Sequence, residues 1–421
     1  MLYLKLMDIY FVFPYRGVGG VPLLFLRFAE YLTKNSLANC VLVDYFDGYM
    51  ARNVSLKEIR IEHYSEDTLV HIPNGSIAIF QSMTPWSIFP FLKISDDVRI
   101  LFWNCHPFNL IPLLPGMRRQ MQNSVKLSKL INKSLLRSYY NKCRKFTRYI
   151  FERDAVVFMD MVNVRTTRKF LDIELIDPLY VPVSVAGDLN LVALRESKND
   201  LKKIVRIAWV GRIVDFKYYP LLHALETLNE LVDKLQLSFQ ITIVGSGDYV
   251  SKFKKEVINL SKLELFFIEN IEPSKLDEFL VSEVDLLIAM GTSALEGAKL
   301  GVPTILLDVA YSPISKDYCF KWLYQQNGYS LGNLVDDTEM EPNNSSLQQL
   351  ILHMQDDFSD ISTLTFDYFM NHHEIGHSSY RLLDALKRSV CTYGQLRKSG
   401  FLNRGFVYSS FCKIKKRMSL L

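Results

Sequence analysis

The sequence predicts an α/β protein with two Rossmann-like, doubly wound parallel-sheet domains that face a cleft. Short apolar runs rich in β-branched residues alternate with amphipathic helical patterns along most of the chain, which is typical of parallel sheets covered by helices. A polar, charged stretch, RESKNDLKK at 195–203, separates the two halves. Because domains usually contain about 100 to 200 residues, the 421 residues suffice for two domains with cores of their own.

Six strands are predicted in the first half of the chain, with helical patterns between them. The helix GGVPLLFLRFAEYLTKN follows the first strand. The apolar N-terminus is interrupted by Lys5 and Asp8 and lacks a small-residue cleavage site, so it is expected to be a strand and not a signal peptide. The predicted strands are 5–13, 39–46, 76–81, 99–105, 155–159 and 179–183.

The second half alternates more regularly. The predicted strands are IVRIAWV, FQITIVG, LELFFIE, VDLLIAM and PTILLD. The predicted helices between them are PLLHALETLNELVDKL, YVSKFKKEVINLSK, PSKLDEFLVSE and SALEGAKLG. This order predicts a second parallel sheet.

Composition narrows the class of protein. The six cysteines lie far apart and form no C-x-x-C pair, which suits a reducing compartment. No run approaches the roughly 18 apolar residues that a membrane-spanning helix needs. We therefore expect a cytoplasmic protein, and the net charge of +4 is too small to indicate a partner.

The distribution of charge is more informative. The segment 116–151 contains ten basic residues and no acidic residue, interleaved with bulky apolar side chains, and the tail after Asp384 carries only basic charges. Such stretches are typical of proteins that bind an anionic membrane surface or a nucleic acid, or of a solvated helix face. No recognisable nucleic-acid module accompanies them. The ten are Arg118, Arg119, Lys126, Lys129, Lys133, Arg137, Lys142, Arg144, Lys145 and Arg148.

The stretch HHEIGH at 372–377 has the H-E-x-x-H spacing of zinc peptidases, in which two histidines on one helical face bind the metal. A third ligand is missing: no glutamate follows Glu374, no histidine follows His377, and Asp384 is the only later carboxylate. Gly376 also disfavours a helix. We predict a polar turn that leads into the helix SSYRLLDALKR.

Ligands of open α/β sheets bind beyond the carboxyl ends of the strands. After the first strand, Gly17, Gly19 and Gly20 precede a helix, where glycines let a phosphate approach backbone N–H groups. A generic turn that needs no ligand is the alternative.

The loop WVGRIVDFKYY carries two cations after one strand. Arg212 follows Gly211 directly, and Lys217 precedes the next helix. A guanidinium and an ammonium together could neutralise a diphosphate. The alternative is an exposed basic pair, although a helix start favours anions over cations.

Two further loops are candidates for nucleotide binding. Gly245-Ser246-Gly247 is a tight strand-to-helix turn. In GTSALEGAKLG, a turn at Gly291 opens a short helix. Its start could face phosphate, and its glutamate could accept hydrogen bonds from a ribose. A capping box between Ser293 and Glu296 is the alternative. The candidate residues of this helix are Thr292, Ser293 and Glu296.

In this order, GRIVDFK, IVGSGDY, IEPSKLDEFLVSEVDLLIA and GTSALEGAKLGVPTILLD resemble the donor-binding half of GT-B glycosyltransferases of the family 4 type (group 1). The resemblance covers 204–308 and extends more loosely to GVGGVPLLFLRFAEYL. It implies an acceptor-binding domain at 1–190, a nucleotide-sugar domain at 200–375, and a helix and basic tail at 376–421 that cross back to the N-terminal domain.

The resemblance also implies roles for individual residues. Arg212 and Lys217 would bind the donor diphosphate and Glu296 the ribose, while the Gly19-Gly20 backbone would lie against the phosphates or the acceptor. His106, after the strand at 99–105, would contact the transferred sugar; a histidine that caps the next helix is the alternative. The family's first glutamate would fall at position 288, which is Ile288.

The sequence thus predicts a glycosyltransferase that uses a nucleotide diphosphate sugar, with retention implied by the resemblance and no catalytic metal or other cofactor. The acceptor would be lipid-linked or a polysaccharide in bacterial surface polysaccharide synthesis, such as O-antigen, capsule or exopolysaccharide. The enzyme would lie on the inner face of the membrane through 116–151 and the basic tail. The alternatives are a GT-B-like sugar-nucleotide epimerase and a non-enzymatic membrane-surface binding protein.

Overall fold

The computed structural model describes residues 6–81, 89–114, 116–187, 203–335 and 344–403. The chain forms two compact units. The first contains Met1–Pro182 together with Ser378–Leu421, and the second is the continuous segment Val183–His377.

Fourteen strands occur in the described part of the chain, most of them short and apolar. Those of the first unit are β1 Asp8–Val12, β2 Asn39–Asp44, β3 Arg60–His63, β4 Val70–Ile72, β5 Ile77–Gln81, β6 Leu92–Ile94, β7 Arg99–Asn104 and β8 Val156–Phe158. Those of the second unit are β9 Ile204–Val210, β10 Ser238–Val244, β11 Glu264–Ile268, β12 Leu286–Ala289, β13 Thr304–Leu306 and β14 Lys321–Trp322.

The helices connect these strands. They are α1 Gly20–Lys34, α2 Tyr49–Asn53, α3 Arg118–Asn123, α4 Val125–Lys133, α5 Arg137–Phe151, α6 Met161–Leu171, α7 Asp215–Leu235, α8 Val250–Val257, α9 Pro273–Glu283, α10 Thr292–Ala298, α11 Leu347–His372, α12 Ile375–Arg388 and α13 Tyr393–Lys398.

The main sheet of the first unit is parallel, in the order β3-β2-β1-β5-β7-β8. Successive strand residues point to opposite faces of this sheet, and helices pack against both faces. Trp103 of β7 packs against Phe25 and Phe28 of α1, with ring centroids 5.7 and 4.9 Å apart. The preceding Phe102 contacts Phe146 of α5 at 5.3 Å. β4 and β6 form a separate two-stranded sheet.

The second unit repeats this arrangement, in the order β11-β10-β9-β12-β13-β14, with only β14 antiparallel. Ile207 and Trp209 of β9 belong to the core cluster that contains α7 and α11 residues. Ala208, between them, belongs to the cluster that contains α9 and α10 residues. The second sheet is therefore also doubly wound.

The C-terminal segment is part of the first unit. The Ile100 N–H donates to the Cys391 carbonyl at 2.9 Å, and the Arg99 guanidinium donates to the Leu386 carbonyl at 2.8 Å. The Ser389 hydroxyl donates to the Ile100 carbonyl at 3.1 Å. These bonds fix the segment at the start of β7.

Some predicted elements differ from the structure. The strand expected at 179–183 is only a single bridge between Tyr180 and Phe158, and the helix expected at 249–262 ends at Val257. The sequence patterns also missed β3, β4, β6 and β14. No helix in the described ranges is long and apolar enough to cross a membrane.

Candidate active site

The loops at the carboxyl ends of β9 and β10 lie in close contact. The Gly211 N–H donates to the Val244 carbonyl at 2.9 Å, and the Ile213 N–H donates to the Ser246 carbonyl at 2.8 Å. A Cβ on Gly245, whose φ is +151°, would lie 2.1 Å from the Gly211 carbonyl oxygen. A Cβ on Gly247, with φ +140°, would lie 2.4 Å from the Ile213 oxygen. Contact between the two loops therefore explains both glycines, whether or not a nucleotide binds there.

Lys217 lies over this contact. A Cβ on Gly211 would be 3.3 Å from the Lys217 Nζ and 3.4 Å from the Ser293 Oγ, so these two polar groups flank the same glycine. The Trp209 indole N–H donates to the Gly211 carbonyl at 3.1 Å, and the Lys217 Nζ lies 5.6 Å from the centroid of that indole. Trp209 thus supports both the loop and the ammonium group. The sequence alone did not indicate this role.

The electrostatics of this edge are positive. Burial, and then the charge of Arg212, lower the pKa of Lys217 to about 8. Arg212 is exposed. Neither cation forms an ion pair with a carboxylate of the described ranges, and Arg212 is the charge that acts on Lys217. Two neighbouring positive charges without a counter-charge favour binding of an anion at this position.

Helix α10 starts beside the same loops. Gly291, with φ +65°, precedes it, and the Gly291 N–H donates to the Leu331 carbonyl at 2.7 Å. No side chain caps the helix. Thr292 is exposed and Ser293 is half-buried. The structure thus brings Ser293 to Gly211 and Lys217, as the grouping of loops predicted.

Glu296 lies further along α10 in an ion-pair network. Its Oε2 is 2.8 Å from the Lys299 Nζ, which is 2.9 Å from Asp277 Oδ1 of α9. Burial alone would lower the pKa of Lys299, but Glu296 and Asp277 hold it above its usual value. The alternative of a capping box at Ser293 is wrong, because Gly291 is the N-cap residue. The sequence analysis did not assign Lys299, although an i,i+3 pair with Glu296 could have indicated it.

Ile288, at the position of the family's first glutamate, lies inside β12 and is 1% exposed. A residue there belongs to the core. The loop between β12 and α10 is only Met290 and Gly291, so there is no room in it for a second carboxylate before Glu296.

In the first unit, the glycine loop is organised by a buried carboxylate. Asp44, at the end of β2, accepts hydrogen bonds from the N–H groups of Tyr15, Tyr45, Met50 and Ala51 at 2.8 to 3.2 Å. Burial raises the pKa of Asp44, while these four bonds oppose the rise. A side chain on Gly48 would overlap this carboxylate.

Helix α1 begins at Gly20, with Gly19 as N-cap and no side-chain cap. A Cβ on Gly20 would meet nothing within 4 Å, so the helix start is open. A Cβ on Gly17 would lie 2.8 Å from the Tyr15 hydroxyl. Gly19 and Gly20 therefore expose backbone at the carboxyl edge of the first sheet.

His106 follows β7 on a surface turn. Its Nδ1 accepts a hydrogen bond from the Phe108 N–H at 3.2 Å, which places the proton of the neutral ring on Nε2. Desolvation by the surrounding protein, and then the charge of Arg118, lower the pKa of His106. The alternative of a histidine that caps the next helix is wrong, because Phe108 lies in a turn and the next described helix, α3, begins at Arg118. The contact leaves Nε2 as a hydrogen-bond donor.

HHEIGH spans the junction of two helices: the predicted turn is only His373 and Glu374, and α12 begins at Ile375, before the predicted SSYRLLDALKR, and includes Gly376. His373 is the C-cap residue of α11, and its Nδ1 contacts the Val183 carbonyl at 2.7 Å. The Nδ1 of His377, in α12, contacts the Met370 carbonyl at 2.7 Å. Glu374 accepts from the N–H groups of Gly376 and His377 at 2.7 and 3.1 Å. Because the two histidines lie on different helices, the geometry that gives H-E-x-x-H its meaning is not formed.

The basic segment forms helices α3 to α5. Lys129 and Lys133 both pair with Asp172, each at 3.4 Å, and so are partly neutralised. Leu130 and Leu135 are 67% and 71% exposed. Six further cations of these helices are exposed: Arg118, Arg119, Lys126, Arg137, Lys145 and Arg148. Most of the basic tail, 404–421, lies outside the described residues.

Comparisons with known proteins concern the fold. The sequence matches no protein-family model and no protein of curated function. WaaG, a glycosyltransferase involved in lipopolysaccharide biosynthesis, is 13% identical, with 91% of this chain and 100% of that chain covered at a TM-score of 0.50. The fold is GT-B. A structure from E. coli, described as trehalose-6-phosphate bound with UDP-2-fluoro glucose, is 9% identical, with coverage of 91% and 100% and a TM-score of 0.52.

Proposed function

We propose that this chain is a glycosyltransferase that moves a hexosyl group from a nucleotide diphosphate sugar to an acceptor hydroxyl. The observation that carries the proposal is the pair of cations, Arg212 and Lys217, that lies without a carboxylate partner in the described ranges, beside Ser293, at the carboxyl edge of the second sheet. This is the edge at which open α/β sheets bind ligands.

The diphosphate of the donor is the proposed anion. Arg212 would grip phosphate oxygens as a planar fork, while Lys217 and the Ser293 hydroxyl would donate from the other side of Gly211. Glu296, held by Lys299, would accept from the ribose hydroxyls. Gly19, Gly20, Gly245, Gly247 and Thr292 remain proposed donor-binding residues.

In the proposed reaction, the bond between the sugar C1 and the diphosphate breaks and a bond from C1 to the acceptor oxygen forms. The proton of the acceptor hydroxyl passes to a diphosphate oxygen, with retention at C1. Negative charge grows on the leaving diphosphate, where Lys217 and Arg212 stabilise it. We propose that these two cations make a catalytic metal unnecessary, and that His106 donates from Nε2 to the transferred sugar.

The acceptor we propose is lipid-linked or a growing polysaccharide in bacterial surface polysaccharide synthesis. Support comes from the charge of the α3–α5 surface, since each Lys or Arg near an anionic leaflet contributes about 1 kcal/mol to binding. The exposed Leu130 and Leu135 lie on the same segment. A transferase held on the inner face of the membrane would meet such an acceptor directly.

The deciding experiment incubates the chain with a panel of nucleotide sugars and measures release of nucleoside diphosphate, with and without membrane lipid extract. We expect release from one donor, increased by the extract and insensitive to EDTA. Conversion of the donor to an isomeric nucleotide sugar without release would instead establish an epimerase. No turnover and no nucleotide binding with any donor would contradict both.

The membrane part of the proposal is tested separately by sedimentation with vesicles. We expect binding to anionic but not zwitterionic vesicles, weakened by salt. Replacing Lys126, Arg137, Lys145 and Arg148 by glutamine should release the protein. The matched control replaces four exposed lysines of the second unit, Lys234, Lys255, Lys275 and Lys316, and should still bind; equal loss in both variants would reject the α3–α5 surface.

A further inference from the structure

The outer edge of β11 differs from the other edges of the two main sheets. An edge strand exposes unpaired backbone N–H and C=O groups, and proteins usually protect it with charges or by making it short. β3 carries Arg60 and Glu62, paired at 3.1 Å. β14 has two residues, and β8 is bridged by Tyr180. β11 is five residues long, with the sequence ELFFI.

The side chains of β11 are exposed on both faces. Phe266 is 51% exposed and Phe267, on the opposite face, is 37% exposed. Ile258, in the turn that follows α8, is 77% exposed. Helices normally cover both faces of a parallel sheet, so an apolar edge strand of this kind indicates an interaction surface.

The backbone groups on the outer side can be assigned from the ladder. The Ile268 carbonyl accepts a hydrogen bond from the N–H of Gly245, the residue after β10. The backbone N–H and C=O groups of Ile268 therefore point toward β10. Because the direction alternates along a strand, Leu265 and Phe267 direct their N–H and C=O groups outward, away from β10. Within the described residues, no strand pairs with them.

We propose that β11 pairs antiparallel with β11 of a second copy of this chain, about a two-fold axis at Phe267. Residues equidistant from Phe267 then face each other: the outward groups of Phe267 on the two copies bond to each other, and Leu265 of one copy lies opposite Glu269, the residue after the strand, of the other. The two second-unit sheets become one continuous sheet. Such a self-complementary contact closes after two copies.

The side-chain pairing in this register favours a second copy as the occupant. Phe266 faces Ile268 across the interface, an aromatic and β-branched pair of the kind that stabilises sheets. Glu264 is the only charged residue of β11, and the position opposite it in this register is the neutral Asn270, which follows the strand. No like charges are therefore opposed along β11, and the strand can pair with a copy of itself without electrostatic repulsion.

The test is sedimentation velocity of the full chain between about 1 and 100 μM, where association of a specific dimer is measurable. We expect a species of twice the 48.8 kDa chain mass. Phe266→Lys places like charges near the axis and should raise the dissociation constant at least tenfold, on the order of 1.4 kcal/mol. The matched control, Phe46→Lys, changes an aromatic residue that is 81% exposed in the first unit and should leave the dimer intact.

A second variant, Leu265→Pro, removes an outward N–H without breaking a bond to β10, which an edge strand tolerates. It should also yield monomers, with circular dichroism confirming that both variants are folded. A wild-type chain that stays monomeric at 100 μM, or a dimer that persists in whichever variant remains folded, would overturn the proposal. Donor turnover plays no part in this result, so it stands apart from the proposed function.

Discussion

At the carboxyl edge of the first sheet, the buried Asp44 carboxylate is surrounded by four backbone N–H donors. At the carboxyl edge of the second sheet, Arg212 and Lys217 lie together without a carboxylate partner among the described residues. At the first edge, backbone N–H groups of the protein stabilise the negative charge of Asp44. At the second edge, the positive charges have no such partner in the described part of the chain and would be neutralised by a bound anion. A ligand anion is therefore expected at the second edge, and the first edge is built to hold its loops in place.

Among the substitutions that compare the two edges, Gly245→Ala should lower the unfolding free energy most. Gly245→Ala would place a methyl group 2.1 Å from the Gly211 oxygen at φ +151°, and we expect a loss of about 4 kcal/mol of unfolding free energy. Urea denaturation followed by tryptophan fluorescence measures it. A loss below about 1 kcal/mol would show that the two loops are free to separate.

Removing the Asp44 carboxylate should cost nearly as much stability in the other unit. Asp44→Ala leaves four N–H donors without an acceptor in a buried position, for which we expect about 3 kcal/mol of destabilisation. Nucleotide binding at the second edge should persist in the folded fraction, as measured by calorimetry. Complete loss of nucleotide affinity in folded protein would contradict the division of roles between the edges.

Lys217→Ala and Arg212→Ala should act on turnover instead of stability. Each should raise the barrier by up to about 3 kcal/mol, or roughly 100-fold in turnover, with little change in thermal unfolding. Lys234→Ala, in the last turn of the same helix, is the matched control and should be silent. Near wild-type turnover in both site variants would remove the basis of the donor assignment.

The pH dependence of nucleotide binding gives a smaller, more specific effect. Because the pKa of Lys217 is lowered to about 8, its ammonium is present below that pH and is lost above it. A bound diphosphate favours the charged form, so affinity should fall about tenfold between pH 7 and 9.5, which corresponds to about 1.4 kcal/mol. Calorimetric titration of nucleoside diphosphate measures this, and Lys217→Met should flatten the profile.

The smallest effect is expected at Gly20, the counterpart of Gly245 in the first unit. A Cβ there meets no atom within 4 Å and the helix continues from it, so Gly20→Ala should change the unfolding free energy by no more than about 1 kcal/mol. A loss of unfolding free energy as large as that of Gly245→Ala would show that the backbone at Gly20 is as closely packed as that at Gly245.

The sequence predicted strands and helices correctly where the local residue pattern agrees with the packing of the folded chain. The buried strands β9, β10 and β12 and the helix α9 follow directly from apolar runs and turn residues, and so the doubly wound class was predictable. β3 was missed because Arg60 and Glu62 interrupt its apolar pattern at a sheet edge, where burial imposes little constraint. The helix expected at 249–262 failed because Ile258, which completes an apolar spacing, is exposed in a turn.

The candidate site was predictable only in part. Arg212, Lys217 and Ser293 could be grouped, since carboxyl ends of parallel strands share one edge. The support that Trp209 gives to Gly211 and Lys217 depends on how the loop folds, and the pairing of Lys299 with Asp277 depends on the packing of α10 against α9. The role of Asp44 was not predicted, because an aspartate at the end of a strand does not reveal that it will be buried, and its donor Tyr15 lies 29 residues away in the glycine loop.

The arrangement of the two units along the chain also has a consequence for biosynthesis. The second unit is continuous, whereas the first is assembled from segments on both sides of it. During translation, chains fold from the N-terminus as they emerge from the ribosome. The second unit can therefore finish folding while the start of β7 still lacks its partners at Leu386, Ser389 and Cys391. A nascent chain that stalls before residue 391 carries a complete second unit and an incomplete first unit, which makes it a natural substrate for chaperones and quality-control proteases.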